Sequence, residues 1–153
     1  MRYFVARWVT GVSFLLGLVV FSSTPALAQD GGIRGGISVD PDQFYFGGHL
    51  ETSPLIDRLH FRPNVEVGIG DDVTLIGANM EFVYKFTSRR PWTIYAGGGP
   101  ALNVYMVDGA DAETDAGLNL LVGVEQSRGL FFEFKFGAID SPDFKFGVGW
   151  TFR

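Results

Sequence analysis

Hydrophobic and polar residues alternate along eight short segments of this chain. In one of them Phe144, Phe146 and Val148 share one phase, while Lys145 and Gly147 share the other. Because successive side chains of a strand point to opposite faces of a sheet, a repeat of two predicts a strand with one apolar and one polar face. The predicted strands are residues 33–39, 44–51, 59–69, 73–86, 92–105, 117–126, 130–139 and 144–152.

The segments between these strands are mostly short and rich in Gly, Pro, Asp and Ser, which favour tight turns. Residues 40–43 and 140–143 are of this type, and the longest predicted connection runs from Met106 to Ala116. Short connections between consecutive strands predict an antiparallel, up-and-down arrangement.

The polar phase also carries many glycines, among them Gly47, Gly77, Gly123 and Gly149. Alternation alone also fits a soluble barrel of the lipocalin kind, with its apolar face inside. An eight-stranded barrel, however, has an interior just wide enough for side chains. Rows of Phe and Trp on the other phase are too bulky to fill that interior together, so we predict that the polar, glycine-rich face lies inside.

An outward face of Phe, Leu, Val, Ile and Trp requires lipid around it. Residues 29–153 hold no apolar run of the roughly 20 residues that a membrane helix needs. Lipid cannot satisfy open strand edges, so a closed sheet is the remaining way to span a membrane. The predicted fold class is therefore all-β, a single eight-stranded antiparallel up-and-down transmembrane β-barrel.

All charged residues of the predicted strands fall on the polar phase, and the two signs are equal in number. The bases are Arg34, Arg62, Lys85, Lys135 and Lys145, and the acids are Glu51, Glu66, Glu81, Glu125 and Glu133. Buried charges are tolerated when they are paired. The pattern therefore predicts a charge network that fills the lumen, rather than an open channel.

The connections sort by charge as well, since alternate connections of a meander lie at the same end of the barrel. One set holds acids and no base, namely Asp40, Asp42, Asp71, Asp72, Asp108, Asp111, Glu113, Asp115, Asp140 and Asp143. The other set, with the end of the chain, holds the bases Arg58, Arg89, Arg90, Arg128 and Arg153 beside the acid Asp57. We predict an acidic end and a basic end.

Residues 1–28 have the features of a cleaved secretory signal peptide. Arg2 and Arg7 provide the positive start, residues 9–21 are mostly apolar, and Ala26-Leu27-Ala28 is a small-x-small cleavage site. The alternative is a retained membrane anchor, for which the apolar stretch is short. The predicted domains are the signal peptide, 1–28, and one barrel domain, 29–153.

Composition excludes several kinds of chemistry. The chain has no cysteine, so disulfides and Cys-based metal or redox sites are excluded. Of its 12 bases, Arg2 and Arg7 lie in the predicted signal, so 10 bases face 17 acids in the rest of the chain. This balance argues against a nucleic-acid partner.

The chain resembles the small outer-membrane β-barrels of the OmpA and OmpX type. The resemblance rests on the aromatic, alternating strand at 144–152, on the assembly signal Gly147-x-x-Trp150-x-Phe152, and on the segment 95–102. It implies an outer-membrane location with both chain ends in the periplasm. It also implies contacts with membrane lipids, lipopolysaccharide and the barrel-assembly machinery.

Two features depart from that family's pattern. Arg153 follows the aromatic residue on which such chains usually end, and Pro100 falls within a predicted strand. Because proline removes a donor from the strand ladder and belongs at edges or bulges, we predict a bulge at Gly99-Pro100.

Candidate chemistry is limited to two histidines. His49 and His60 are predicted as lumen-facing neighbours on the second and third strands, where with Glu51 and Glu66 they could bind a metal or relay protons. A structural hydrogen-bond network is the favoured interpretation. No Ser or Cys has a recognisable His partner, and the His-x-Ser pair of outer-membrane lipid A deacylases is absent. We predict no catalytic, cofactor-binding or metal-binding residues, apart from weak divalent-cation binding at the acidic loops.

These observations favour an integral outer-membrane barrel that is not an enzyme, with a structural or surface-interaction role. Two alternatives stay open at this point. One is a soluble, exported, lipocalin-like barrel that binds an apolar ligand. The other is an outer-membrane enzyme that modifies lipid.

Overall fold

A computed structural model describes residues 29–86 and 90–153 of the chain. The predicted signal peptide, 1–28, and Arg89 lie outside the described residues. The strands are β1 (Gln29–Val39), β2 (Gln43–Thr52), β3 (Leu59–Ile69), β4 (Val73–Lys85), β5 (Trp92–Val107), β6 (Glu113–Gln126), β7 (Leu130–Ile139) and β8 (Phe144–Phe152).

Each strand pairs antiparallel with the next one along the chain, and β8 pairs with β1 to close a barrel. The closing seam runs from Gly31 opposite Phe152 to Val39 opposite Phe144. No strand edge is left open, because every strand has a partner on both sides. The predicted eight-stranded up-and-down barrel is confirmed.

The bounds of β3, β7 and β8 are those predicted from alternation. The largest difference lies in the hairpin of β5 and β6, which extends to the pair Tyr105 and Glu113. The predicted connection of 106–116 therefore shrinks to a turn over 108–112. Residues 113–116 are polar or small, so the apolar alternation that marks a strand is absent there. Glu113 and Asp115 nevertheless continue the phase of the inward residues of β6.

The polar phase faces the lumen and the apolar phase faces outward. Arg62 and Glu66 are almost fully buried, whereas Phe44 and Phe134 on the other phase are 77% and 40% exposed. No charged side chain lies on the outward phase of any of the eight described strands.

Several glycines of the inner face provide room for lumen rings on adjoining strands. Tyr95 lies against Gly123, Phe131 against Gly149, and His49 against Gly32, and a Cβ on any of these glycines would overlap the ring. Rings that cover glycines on neighbouring strands help to fix strand register. Part of the narrow lumen is thus filled by rings that lie against glycines.

The predicted bulge at Gly99-Pro100 is wrong. Pairing between β4 and β5 is interrupted there, yet Asn79 pairs with Ala101 and Phe82 with Gly98, so the register is the same on both sides. Proline removes one backbone donor but adds no residue. The hydrogen-bonded pairing is therefore interrupted, and the register does not shift. The register shift lies between β6 and β7, at Leu118 and Asn119.

The turns divide the molecule into two ends. The acidic end comprises the turns at 40–42, 70–72, 108–112 and 140–143. The basic end comprises the turns at 53–58 and 127–129, with Phe86, Arg90, Pro91 and Arg153. Asp40 and Asp140 have positive φ angles of 52° and 40°, a conformation that Asp tolerates better than most residues. Turn geometry therefore accounts for part of the acidic composition.

Among the described residues, no helix has the length and hydropathy needed to cross a membrane.

Candidate functional site

The ten predicted lumen charges come together in one interior network. They are supplied by every strand except β5, and nine are buried, while Lys85 is partly buried. The strand period of two places these side chains inward, and barrel closure brings distant strands within reach.

The centre of the network is built around Glu133 of β7. Its carboxylate accepts hydrogen bonds from Arg34 (Nη1 to Oε1, 3.1 Å), Arg62 (Nη1 to Oε2, 3.2 Å) and the Tyr95 hydroxyl (2.9 Å). The Arg62 guanidinium also lies 4.7 Å from the centre of the Tyr95 ring, within range of a cation–π contact. One carboxylate thus holds together β1, β3 and β5.

Towards the acidic end, Glu66 is shared by three bases. Its oxygens lie 2.7 Å from Nζ of Lys135, 2.8 Å from Nζ of Lys145 and 3.4 Å from Nη1 of Arg34. Lys135 also lies 2.7 Å from Glu81. Every charge in this region therefore contacts at least one opposite charge.

An amide ladder lies beside these charges, and the sequence did not single it out. Asn119 donates to Asn79, Asn79 donates to Asn64, and Asn64 donates to Glu81, each over 2.8 Å. Asn119 pairs with Gly99 of β5, and the missing side chain there lets Asn119 reach across to β4. All three asparagines lie on the polar phase of their strands. This shared phase could have predicted that they meet in the lumen.

The acidic mouth of the lumen is covered by the turn between β7 and β8. Asn103 donates from Nδ2 to the backbone oxygen of Asp140 (2.9 Å) and to the Ser141 hydroxyl (3.2 Å). Pro142 of the same turn is buried. The turn therefore folds inward over the barrel rim.

The basic mouth contains a cavity of about 340 Å³, lined by polar and charged residues that include Asp30, Lys85 and His60. Lys85 contacts Glu51 closely and lies 3.0 Å from Glu125. The two mouths therefore differ, because one is covered by a turn and the other opens into a charged vestibule.

Arg153 also enters this vestibule. Its Nη2 donates to Glu125 over 2.6 Å and lies 3.5 Å from Glu51. Burial by itself would lower the pKa of Arg153, but the hydrogen bond and charge of Glu125 outweigh burial and raise it. The residue that departs from the family pattern is thus part of the lumen network.

The two histidines are not neighbours, which corrects their predicted pairing. His49 lies opposite Asn64, and its Nε2 lies 3.0 Å from the Thr151 hydroxyl. His60 lies near the basic mouth, where its Nδ1 is 2.8 Å from the backbone oxygen of Thr52. The register of β2 and β3, which alternation alone does not determine, separates them.

The residues of the predicted assembly signal divide between the two faces of β8. Gly147 faces inward against the Tyr45 hydroxyl. Trp150 and Phe152 lie on the outer face and are 40% and 58% exposed. No group of His, Cys, Asp and Glu within the described ranges has the arrangement needed to hold a metal ion.

Comparison with solved structures finds the same fold in the crystal structure of Neisserial surface protein A (NspA). The two chains are 18% identical, the match covers 81% of this chain and 96% of that chain, and the TM-score is 0.61. The likeness supports the predicted fold, a single eight-stranded antiparallel β-barrel. No protein-family model matches the chain, and no curated protein matches it in sequence.

Proposed function

We propose that this protein is an integral outer-membrane β-barrel with a plugged lumen, and that its role is structural or in surface interaction rather than enzymatic. The observation that carries the proposal is the division of the strands into an uncharged apolar outer face and an inner face of paired charges. This is the reverse of a soluble protein, which buries its apolar side chains.

The outer surface supports a lipid environment. Its exposed residues include Phe44, Phe46, Phe134 and Phe136, and soluble monomers rarely expose apolar patches of more than a few hundred Å². The likeness in fold to a Neisserial surface protein is consistent with a place in the cell envelope.

Aromatic residues near both rims support the same assignment. Tyr84, Trp92 and Trp150 lie on the outward phase towards the basic end, and Phe44 and Phe144 lie towards the acidic end. Aromatic girdles flank the apolar band of outer-membrane barrels. Tyr105 has the phase of inward-facing Asn103 and is therefore not part of a girdle.

The interior contacts support a plug. Arg62 is fully buried and bridges Glu51 and Glu133, and an ion path would have to break such pairs. The covered acidic mouth is a second barrier. Most of the buried side chains of the described barrel are polar or charged, whereas a site for an apolar ligand is lined mainly by apolar groups, which argues against the lipocalin-like alternative.

The lipid-modifying alternative also lacks support in the described residues. The pair that most resembles a nucleophile and its base is Thr151 with His49, but Thr151 is fully buried and His49 is 4% exposed. A lipid substrate would not reach this hydroxyl.

The orientation and partners follow as part of the proposal. The start of β1 and the end of β8 lie at the basic end of the barrel. We assign this end to the periplasm, so the acidic end faces the outside of the cell. Membrane lipids and lipopolysaccharide would surround the barrel, and the outer-membrane assembly machinery would read Gly147, Trp150 and Phe152. Divalent cations shared between the acidic loops and lipopolysaccharide phosphates would be bound weakly.

Two measurements on protein extracted from cell envelopes test this proposal. We expect the unheated barrel to migrate faster than the heated chain on a gel, because a closed, detergent-resistant barrel stays compact. We expect planar bilayers that contain the protein to show no stable single-channel steps. A monodisperse protein in buffer without detergent would contradict the membrane assignment, and stable nanosiemens steps would contradict the plug.

A further inference from the structure

Arg153 lies one position beyond the last pair of the seam that closes the barrel. Gly31 of β1 pairs with Phe152 of β8, so Asp30 and Arg153 occupy the next position in the same register. Both residues continue the inward phase of their strands. Nε of Arg153 lies 3.6 Å from the Asp30 carboxylate, which makes an opposite-charge pair across the seam.

The same guanidinium reaches two more strands. Nη2 lies 2.6 Å from Glu125 of β6 and 3.5 Å from Glu51 of β2, so one side chain connects three acids around the basic mouth. A planar fork of donors suits such a site better than a single ammonium group. The Arg153 side chain is 30% exposed and therefore also faces the water-accessible vestibule.

The vestibule would carry an excess of acid without this residue. Lys85 is shared by Glu51 and Glu125. Arg62 contacts Glu51 and lies 3.5 Å from Oε2 of Glu125, but it is also the partner of Glu133. Oε2 of Glu125 is buried and makes no hydrogen bond. Asp30 has Arg153 as its ion-pair partner among the described residues. Truncation of Arg153 would therefore leave a cavity with carboxylates on several sides and room for a small cation.

We propose that the basic mouth is a guanidinium-binding socket, formed by Asp30, Glu51 and Glu125 and occupied by Arg153, which fastens β8 to β1. The residue after the terminal aromatic position thus takes part in barrel closure. When its side chain is removed, the socket binds a free guanidinium ion from solution.

The test compares unfolding rates of the purified barrel in detergent, followed in urea by the change from the compact to the extended gel form. We expect Arg153→Ala to unfold about tenfold faster, the factor that one charge-assisted hydrogen bond typically contributes. The control is Arg128→Ala, which removes the same charge from an exposed turn at the same end. It should unfold at the wild-type rate.

Rescue by a small cation distinguishes a socket from general charge balance. Methylguanidinium chloride at low millimolar concentration should slow unfolding of Arg153→Ala in a saturable manner and should not affect the wild type. Tetramethylammonium chloride has the same charge but no donors, and it should not rescue. Equal rescue by both salts would overturn the socket, as would a wild-type unfolding rate for Arg153→Ala.

A second variant tests the socket if Arg153→Ala fails to assemble. Arg153→Lys keeps the charge but loses the fork, and we expect it to assemble and to unfold at an intermediate rate. In a Glu125→Gln background, the effect of Arg153→Lys on the unfolding rate should shrink, because the main partner of the guanidinium is gone. An undiminished effect in that background would overturn the assignment of Glu125 to the socket.

Discussion

At the residue scale, lumen residues show how buried charge is tolerated in this barrel. Glu133 accepts hydrogen bonds from two arginines and one tyrosine, so its desolvation is offset by several donors. Sequence alternation predicted that Glu133 points inward, but it did not reveal its partners. Tyr95 lies on β5, which has no charged residue, and it was not among the predicted network residues. Its hydrogen bond to Glu133 of β7 depends on barrel closure.

Glu133→Gln is expected to destabilise the barrel by about 3–5 kcal/mol, because Arg34 and Arg62 lose a shared partner and the buried network is left with one excess positive charge. The urea midpoint of the refolded protein measures this loss. Asp71→Asn, which removes an acid from an exposed turn, is the matched control and should leave the midpoint unchanged. An unchanged midpoint for Glu133→Gln would mean that water, and not the network, satisfies this carboxylate.

At the element scale, strand type and phase could be predicted from the sequence, whereas lengths and neighbours were less accessible. β7 and β8 were found with their observed bounds because bulky apolar residues alternate with charges to their ends. The extension of β5 and β6 was missed, since residues 113–116 are polar or small. The positions of His49 and His60 relative to each other depended on a strand register that a single sequence does not determine.

Phe134→Arg tests the facing of β7. Phe134 lies on the outer face opposite Phe146 and is 40% exposed. An arginine near mid-bilayer on the lipid face should cost about 2–4 kcal/mol of folding free energy in lipid vesicles. Phe134→Leu keeps an apolar side chain and is the control. If Phe134→Arg folds in lipid as stably as Phe134→Leu, residue 134 does not face acyl chains.

At the scale of the whole molecule, the charge pattern gives the barrel two different ends. The acidic mouth is covered by the turn at 140–143, and the basic mouth opens into the vestibule that Arg153 enters. The end-to-end sorting of charge could be read from the connections, since alternate turns of a meander share an end. The sequence did not reveal which mouth is covered, because the cover depends on the inward fold of a single turn.

In the proposed membrane-bound state, acyl chains contact the aromatic face of the barrel while the charged face is sealed inside. Quenching of tryptophan fluorescence by brominated phospholipid measures this contact directly. The two tryptophans of the predicted barrel domain, Trp92 and Trp150, are first replaced by Phe. A single new tryptophan is then placed by Phe134→Trp on the outer face, or by Phe131→Trp inside the lumen, where Phe131 is 1% exposed. We predict strong quenching of Phe134→Trp and little quenching of Phe131→Trp. Equal or reversed quenching would show that the aromatic face of the barrel does not contact lipid.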